Sequence, residues 1–134
     1  MALMSFREAN YVKRVGVRPG HDGTQVYGEG GVGSGGTIDI YTVGVGVTLH
    51  ITVLTLSSAL AADAAVSSNI RIVTNLGVFV ANIIVHYFEK AGQQTNVLFP
   101  TFPIEVPATY MVRVTSGAGG PRAYGTVWGW TEPD

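Results

Sequence analysis

The chain contains no cysteine and carries few charged residues. Without cysteine it has no disulfide scaffold, no Cys-ligated zinc site and no thiol nucleophile. Charged side chains make up 13% of the 134 residues, about half of the usual quarter. Eight basic and nine acidic side chains give a net charge of −1. The chain therefore lacks the basic surface that nucleic-acid binding requires, and we expect no nucleic-acid partner.

Long apolar runs are also missing. The two most apolar stretches, residues 43–56 and 77–85, are too short for a spanning helix and are interrupted by Thr, His and Gly. At the N-terminus, Arg7 and Glu8 interrupt the sequence before the apolar core of a signal peptide could form. We therefore expect a soluble protein that does not insert into membranes.

Glycine is concentrated near the N-terminus, where nine of the 18 glycines fall within the first 36 residues. The stretch 28–36 is so rich in glycine that we expect neither a helix nor a packed strand there. Residues 1–36 are interpreted as an attachment arm with a short extended piece over 11–17. The arm residues expected to make contacts are Tyr11, Val12, Val15 and Val17.

From Thr37 onward the sequence has the character of a β protein. Strand-like runs cover residues 37–43, 45–57, 69–74, 77–90, 103–106, 109–115 and 123–131, with turn-forming residues between them. Residues 59–65 are the only plausible short helix. Residues 37–134 are therefore predicted to form an all-β domain, an antiparallel β-sandwich or jelly roll.

The alternation of apolar and polar residues along the strands identifies the faces expected to point into the core. In 48–56, Leu49, Ile51 and Val53 are predicted to point into the core, opposite His50, Thr52 and Leu54. The run 77–88 is apolar on both faces, and only two charged residues occur between positions 43 and 88. Since a two-layer sandwich has one interior, the second apolar face needs a cover. That cover is a loop such as 91–101, the N-terminal arm or another copy of the chain.

We favour a homo-oligomer, with a trimer expected on class grounds. The predicted interface residues are Val78, Val80, Ile84, His86 and Phe88.

Catalytic and cofactor motifs are weak. Residues 28–33 satisfy G-x-G-x-x-G, but no helix follows to meet a pyrophosphate. The carboxylates are scattered, so we expect no enzyme, no cofactor and no metal. A weaker hypothesis is that His50 and His86 approach each other and form a metal or pH-sensitive site.

An aromatic row near the C-terminus allows two interpretations. Trp128 and Trp130 are two residues apart on a predicted strand, and Tyr124 shares their register, so all three would project from one face. Such a row is typical of a platform on which sugars stack. It is also typical of a core or a subunit contact, which we favour.

Three segments of the β region share their strand pattern with a known family. Residues 38–58 read IDIYTVGVGVTLHITVLTLSS, residues 102–114 read FPIEVPATYMVRV, and residues 125–132 read GTVWGWTE. The first resembles the opening hairpin, and the other two the closing strands, of the small jelly-roll proteins on the virion surface of tailed bacteriophages. The resemblance covers about residues 37–132 and is a pattern of strands, so it assigns no role to any single residue.

The resemblance implies a non-enzymatic virion structural protein of a tailed phage. Such a subunit of a capsid decoration, head fibre or tail-associated assembly would self-assemble and attach to other virion proteins through its N-terminal arm. The alternative is a carbohydrate-binding module for host adhesion that stacks surface glycans on Trp128 and Trp130. The two roles are compatible if the particle displays the module.

Overall fold

The computed structural model describes residues 23–134, which form an all-β sandwich of two antiparallel sheets. The strands are β1 Thr24–Val32, β2 Thr37–Thr42, β3 Val47–Leu60, β4 Val66–Val73, β5 Phe79–Phe88, β6 Gly92–Leu98, β7 Ile104–Val106, β8 Met111–Ser116 and β9 Arg122–Pro133. Across this described part of the chain there is no helix, including at the predicted position 59–65, because β3 continues to Leu60. No helix in it is long and apolar enough to cross a membrane.

The strand order confirms the jelly-roll prediction. The first sheet runs β1-β9-β3-β6, with the short β7 paired to β3 beside β6, and the second sheet runs β2-β8-β4-β5. Without β7, the eight strands have the order within the two sheets that the double Greek key of a jelly roll has. Strands β5 and β6 follow each other in the chain and form neighbouring edges of the two sheets.

The core lies between the two sheets and is made of branched aliphatic side chains. Alternation is followed closely in β8, where Val112 and Val114 are fully buried between half-buried neighbours. The fourteen members of the buried cluster are Ile40, Val43, Leu49, Ile51, Leu54, Leu56, Ile70, Ile72, Ile84, Val106, Val112, Val114, Ala123 and Val127. Burial of this apolar surface is the main source of stability.

A bulge in β3 corrects the predicted core face of that strand. The pairing of β3 with β9 shifts between Ile51 and Val53, which leaves Thr52 as the extra residue. Because a bulge reverses the alternation, Leu54 is fully buried and Val53 lies half-buried on the outer side. The prediction was right for Leu49 and Ile51 and wrong beyond the bulge.

Strand β1 was not predicted, and it lies inside the segment interpreted as an arm. All nine of its residues pair with β9, from Thr24 with Thr131 to Val32 with Ala123. Its glycines are what allow this packing, since a Cβ at Gly28 would collide with the carbonyl oxygen of Ile40 in the other sheet. The expectation that this stretch holds no packed strand was therefore wrong. The arm prediction remains for residues 1–22, which lie outside the described part.

Strand β6 replaces the predicted covering loop 91–101. It pairs with β3 from Leu54–Leu98 to Leu60–Gly92 and so extends the first sheet. Most of its side chains are exposed and polar, which is why alternation did not reveal it. An additional bond ties it to the preceding strand, where Gln94 Nε2 donates to the Tyr87 carbonyl oxygen over 2.6 Å.

Candidate binding face and apolar edge

Three aromatic side chains lie on the outer surface of the first sheet, and we call them the aromatic face. Tyr27 on β1 pairs with Trp128 on β9, and their ring centroids are 4.9 Å apart at a tilt of 51°. Tyr124 lies on the same side of β9, four residues earlier. Between 40% and 46% of each of these three side chains is exposed. Large, partly exposed rings with polar tips are suited to binding a ligand that has both apolar and hydroxyl surfaces.

Glu29 organises the hydroxyl groups of this face. It accepts a hydrogen bond from the Tyr27 hydroxyl, and this bond raises the pKa of Tyr27 to about 12. Hydrogen bonding to Glu29 also raises the pKa of Tyr124, and the two tyrosines together lower the pKa of Glu29. The shifts have one cause, because the bonds favour protonated phenols and an ionised carboxylate. The two phenol hydroxyls are therefore held in defined positions.

Trp130, predicted beside Trp128 as part of a sugar platform, is buried and does not belong to the aromatic face. Only 6% of it is exposed. Its indole stacks on His50 at 4.7 Å and 8°, and a Cβ at Gly23 would lie 2.6 Å from its Cδ1 atom. His50 in turn lies 3.7 Å from Glu132, measured from Nε2 to Oε2. Packing by His50 and by Gly23, the residue just before β1, therefore removes Trp130 from the surface.

An open cleft of about 700 Å³ adjoins the aromatic face. Two cross-strand rows explain it. Tyr124, Ser57 and Thr95 form one row across β9, β3 and β6, and Arg122, Ala59 and Gln93 form the next row. The small residues of β3 make the floor, and the longer side chains of β9 and β6 make the walls.

Exposed apolar side chains concentrate where β5 begins and β6 ends. Phe79 and Val80 are about half exposed, whereas Phe99 and Phe102 are more than 70% exposed. Strands β5 and β6 belong to different sheets but run in opposite directions, as the bonds His86–Asn96 and Gln94–Tyr87 show, so the start of β5 lies toward the end of β6. We call this set the apolar edge. It consists of Val78, Phe79, Val80, Val97, Phe99 and Phe102.

The predicted interface residues divide between this edge and the core. Val78 and Val80 are exposed, but Ile84, His86 and Phe88 are at most 8% exposed. The reason is that the pairing of β4 with β5 shifts twice, between Ile70–Ile84 and Arg71–Asn82 and between Ile72–Ala81 and Val73–Phe79. Simple alternation therefore does not hold along β5. The prediction that these five residues share one face was therefore wrong.

His86 joins the two sheets through a buried polar network. Its Nδ1 lies 2.8 Å from Ser58 Oγ on β3, and its Nε2 lies 2.7 Å from Asn96 Oδ1 on β6. Ser58 is also bonded to Ser68 of β4 at 2.7 Å. Since the amide oxygen of Asn96 can only accept, Nε2 carries the proton and Nδ1 accepts from Ser58. Both ring nitrogens have partners, which makes the role of His86 structural.

His50 and His86 do not come together. His86 contacts Ser58, which lies eight residues from His50 along β3, a distance of about 26 Å at the rise of a strand. Within residues 23–134 no group of three His, Asp or Glu side chains is arranged to hold a metal ion. The arm residues Tyr11, Val12, Val15 and Val17 lie outside the described part of the chain.

Comparison with known proteins gives likenesses of low similarity only. No family model and no curated protein matches the sequence. A chain of the cyanophage Pam1 capsid asymmetric unit is similar at 14% identity and a TM-score of 0.43, with 99% of this chain and 100% of that chain covered. A chain of the Bacillus endospore appendages, a family of disulfide-linked pili, is similar at 7% identity and a TM-score of 0.36, covering 84% and 91%.

A third likeness is to the T13 IBDV viral particle, at 10% identity and a TM-score of 0.39, covering 84% of this chain. This chain spans only 32% of that protein's length. At such identities and TM-scores these likenesses leave the function to be inferred from the chain's own surfaces.

Proposed function

We propose that this chain is a non-enzymatic structural protein of a tailed-phage virion, a subunit of a capsid decoration, head fibre or tail-associated assembly. It self-assembles through its apolar edge and attaches to other virion proteins through its N-terminal arm. Fold-level analogy supports the proposal, since capsid domains are a common use of the jelly roll. The observation that carries it is the concentration of exposed Val and Phe side chains at one edge of the sandwich.

The apolar edge is suited to contact with a second copy for two reasons. Side chains such as Phe99 and Phe102 have no polar group that would favour water, and burying them is worth about 25 cal/mol per Å² of apolar surface. In addition, β5 and β6 are the outermost strands of their sheets. Each therefore has backbone N–H and C=O groups that a strand of another copy can pair with.

Self-assembly is tested by light scattering on the full chain over a series of concentrations. We expect the wild-type protein to be oligomeric at micromolar concentration, with a trimer as the leading number. The double variant Val80→Ser/Phe99→Ser should shift it to the monomer. Val45→Ser is the matched control, because Val45 is 88% exposed but lies in the β2–β3 turn. A wild-type chain that stays monomeric would contradict self-assembly through this edge.

The virion location is tested separately by mass spectrometry of purified phage particles from the source culture. Peptides of this chain should co-purify with the particles through a density gradient. A chain found only in the unassembled fraction would count against a virion protein and leave the oligomer result unaffected.

The aromatic face supports a second candidate function, carbohydrate binding in host adhesion. Trp128 and Tyr27 form an exposed ring pair, and Tyr124 extends it toward the cleft. Trp130 has no part in this version of the hypothesis. A glycan array should detect binding by the wild-type chain and its loss in Trp128→Ala, while the edge variant Phe99→Ser should bind as the wild type does. Equal binding by Trp128→Ala and the wild type would contradict this function.

A further inference from the structure

The open cleft beside the aromatic face has the volume of a small-ligand site. Its volume of about 700 Å³ lies within the range of ligand pockets. Strands β9 and β6 flank β3, so the two walls are about 10 Å apart at ordinary strand spacing. The floor of the cleft is formed by small residues, Ser57 and Ala59 on β3 and Gly31 on β1. Gly31 is the residue that pairs with Tyr124 of β9.

The walls of the cleft carry one positive charge. Arg122 is exposed and lines the cleft, and no Asp or Glu within residues 23–134 forms an ion pair with it. The acidic residue nearest in the sheet, Glu29, is bonded to the Tyr27 hydroxyl. A guanidinium on a β-strand that has no carboxylate partner among the described residues favours a ligand that brings a carboxylate of its own.

The remaining polar groups of the cleft are suited to hydroxyl groups. Gln93 and Thr95 lie on the β6 wall, and Thr95 Oγ1 is 3.4 Å from Ser57 Oγ on the floor. Together they present donors and acceptors across the cleft from Arg122. Tyr124 belongs both to the cleft wall and to the aromatic face, so its ring continues the site toward Trp128.

We propose that this cleft binds an acidic saccharide, one sugar of which carries a carboxylate. The carboxylate pairs with Arg122, the hydroxyl groups of the same sugar bond to Gln93 and Thr95, and the next sugar stacks on Tyr124. The proposal rests on the carbohydrate-binding candidate function and adds the class of ligand. The positions of these side chains also set the direction of the bound saccharide, with the acidic sugar beside Arg122 and the neutral sugars toward Trp128.

The test uses oligosaccharide pairs that differ in charge alone. Oligogalacturonate and sialyllactose are each compared with their own methyl esters by isothermal titration calorimetry on the full chain. We expect the charged member to bind more tightly in at least one pair, and more weakly as salt increases. Arg122→Gln should reduce that affinity about tenfold to a hundredfold, as expected for a charge-assisted bond. Lys90→Gln, which removes the same charge from the β5–β6 turn, should leave it unchanged.

The outcomes separate this proposal from the function on which it rests. Neutral and charged members that bind equally, with no effect of Arg122→Gln, would overturn the acidic preference and leave carbohydrate binding standing. Absence of binding to every saccharide on the array and in both pairs would overturn both. Ala59→Leu is a second probe, because it fills the floor of the cleft without changing charge, and it should also reduce binding. Thermal unfolding of each variant identifies any change that is merely structural.

Discussion

The aromatic face and the apolar edge expose large side chains of opposite chemical character. Tyr27, Tyr124 and Trp128 each end in a hydroxyl or indole N–H, and a carboxylate holds the phenol groups in place. Phe99 and Phe102 at the edge have no polar group at all. The first arrangement suits a hydrated ligand that makes hydrogen bonds, and the second suits a dry protein contact. Exposed apolar area alone would not have distinguished the two surfaces.

The largest change in the free energy of unfolding is expected at Trp130, and Trp128, which lies on the same strand and belongs to the aromatic face, is its comparison. Trp130→Ala should lower the free energy of unfolding by about 3–5 kcal/mol, because it removes a buried indole. Trp128→Ala should cost no more than about 1 kcal/mol, because Trp128 is 40% exposed. Urea denaturation monitored by circular dichroism measures both. Equal losses would mean that the two rings are equally buried, contrary to the structure.

The strands were predictable where side chains alternate between core and outside. β8 follows its alternation throughout, and β3 follows it as far as Ile51. Beyond that point the bulge at Thr52 reverses the faces, and no local signal in the sequence marks it. A bulge is fixed by pairing with a strand that is distant in the sequence. The same reason explains why Val80 and Ile84 were wrongly placed on one face.

The two missed strands depend on contacts that a local pattern does not contain. β1 is glycine-rich because its backbone passes close to Ile40 of the opposite sheet, so the residues that suggested flexibility are required by packing. β6 is a polar edge strand held by pairing and by His86. The candidate site was predictable in part. The spacing indicates that Tyr124 and Trp128 share a face, but it does not show that His50 and Gly23, which are distant in the sequence, bury Trp130.

The second largest effect concerns the network that holds the apolar edge together. His86→Ala should lower the free energy of unfolding by about 2–3 kcal/mol, because it leaves a cavity and removes the partners of Ser58 and Asn96. Amide hydrogen exchange should increase first in β6, which loses one of its side-chain bonds to β5, and much less in β1. Ser57→Ala, on the outer side of β3, is the control and should be nearly neutral. Uniform loss of protection in both strands would argue against a local role.

A crossed experiment separates the two surfaces directly. Val80→Ser/Phe99→Ser should weaken self-association more than tenfold, as expected when apolar residues at the centre of an interface are removed. The same variant should bind saccharide as the wild type does. Trp128→Ala should show the reverse pattern. Light scattering and calorimetry on the same samples provide both measurements, and a variant that impairs both functions would show that the aromatic face and the apolar edge are not independent.

The smallest effect is expected from the carboxylate that organises the aromatic face. The raised pKa of Tyr27 means that its hydrogen bond stabilises the fold below the ordinary pKa of 10.0 and is lost as pH rises toward about 12. The lowered pKa of Glu29 means that its contribution is present above 4.5 and is lost as pH falls below that value. Because both groups are exposed, solvent screens the pair, and the effect on stability is small.

The titration itself is the measurement that isolates this pair. Ultraviolet absorbance of the phenolate forms should show one tyrosine of the wild-type chain titrating near pH 12. In Glu29→Gln that tyrosine should titrate nearer its ordinary pKa of 10.0, because the amide no longer favours the protonated phenol through its charge. Tyr27→Phe is the matched control, since it removes the titrating group and keeps Glu29. A high-pH titration that persists in Tyr27→Phe would assign the effect to another tyrosine, and one that persists unchanged in Glu29→Gln would remove Glu29 as the organiser of this face.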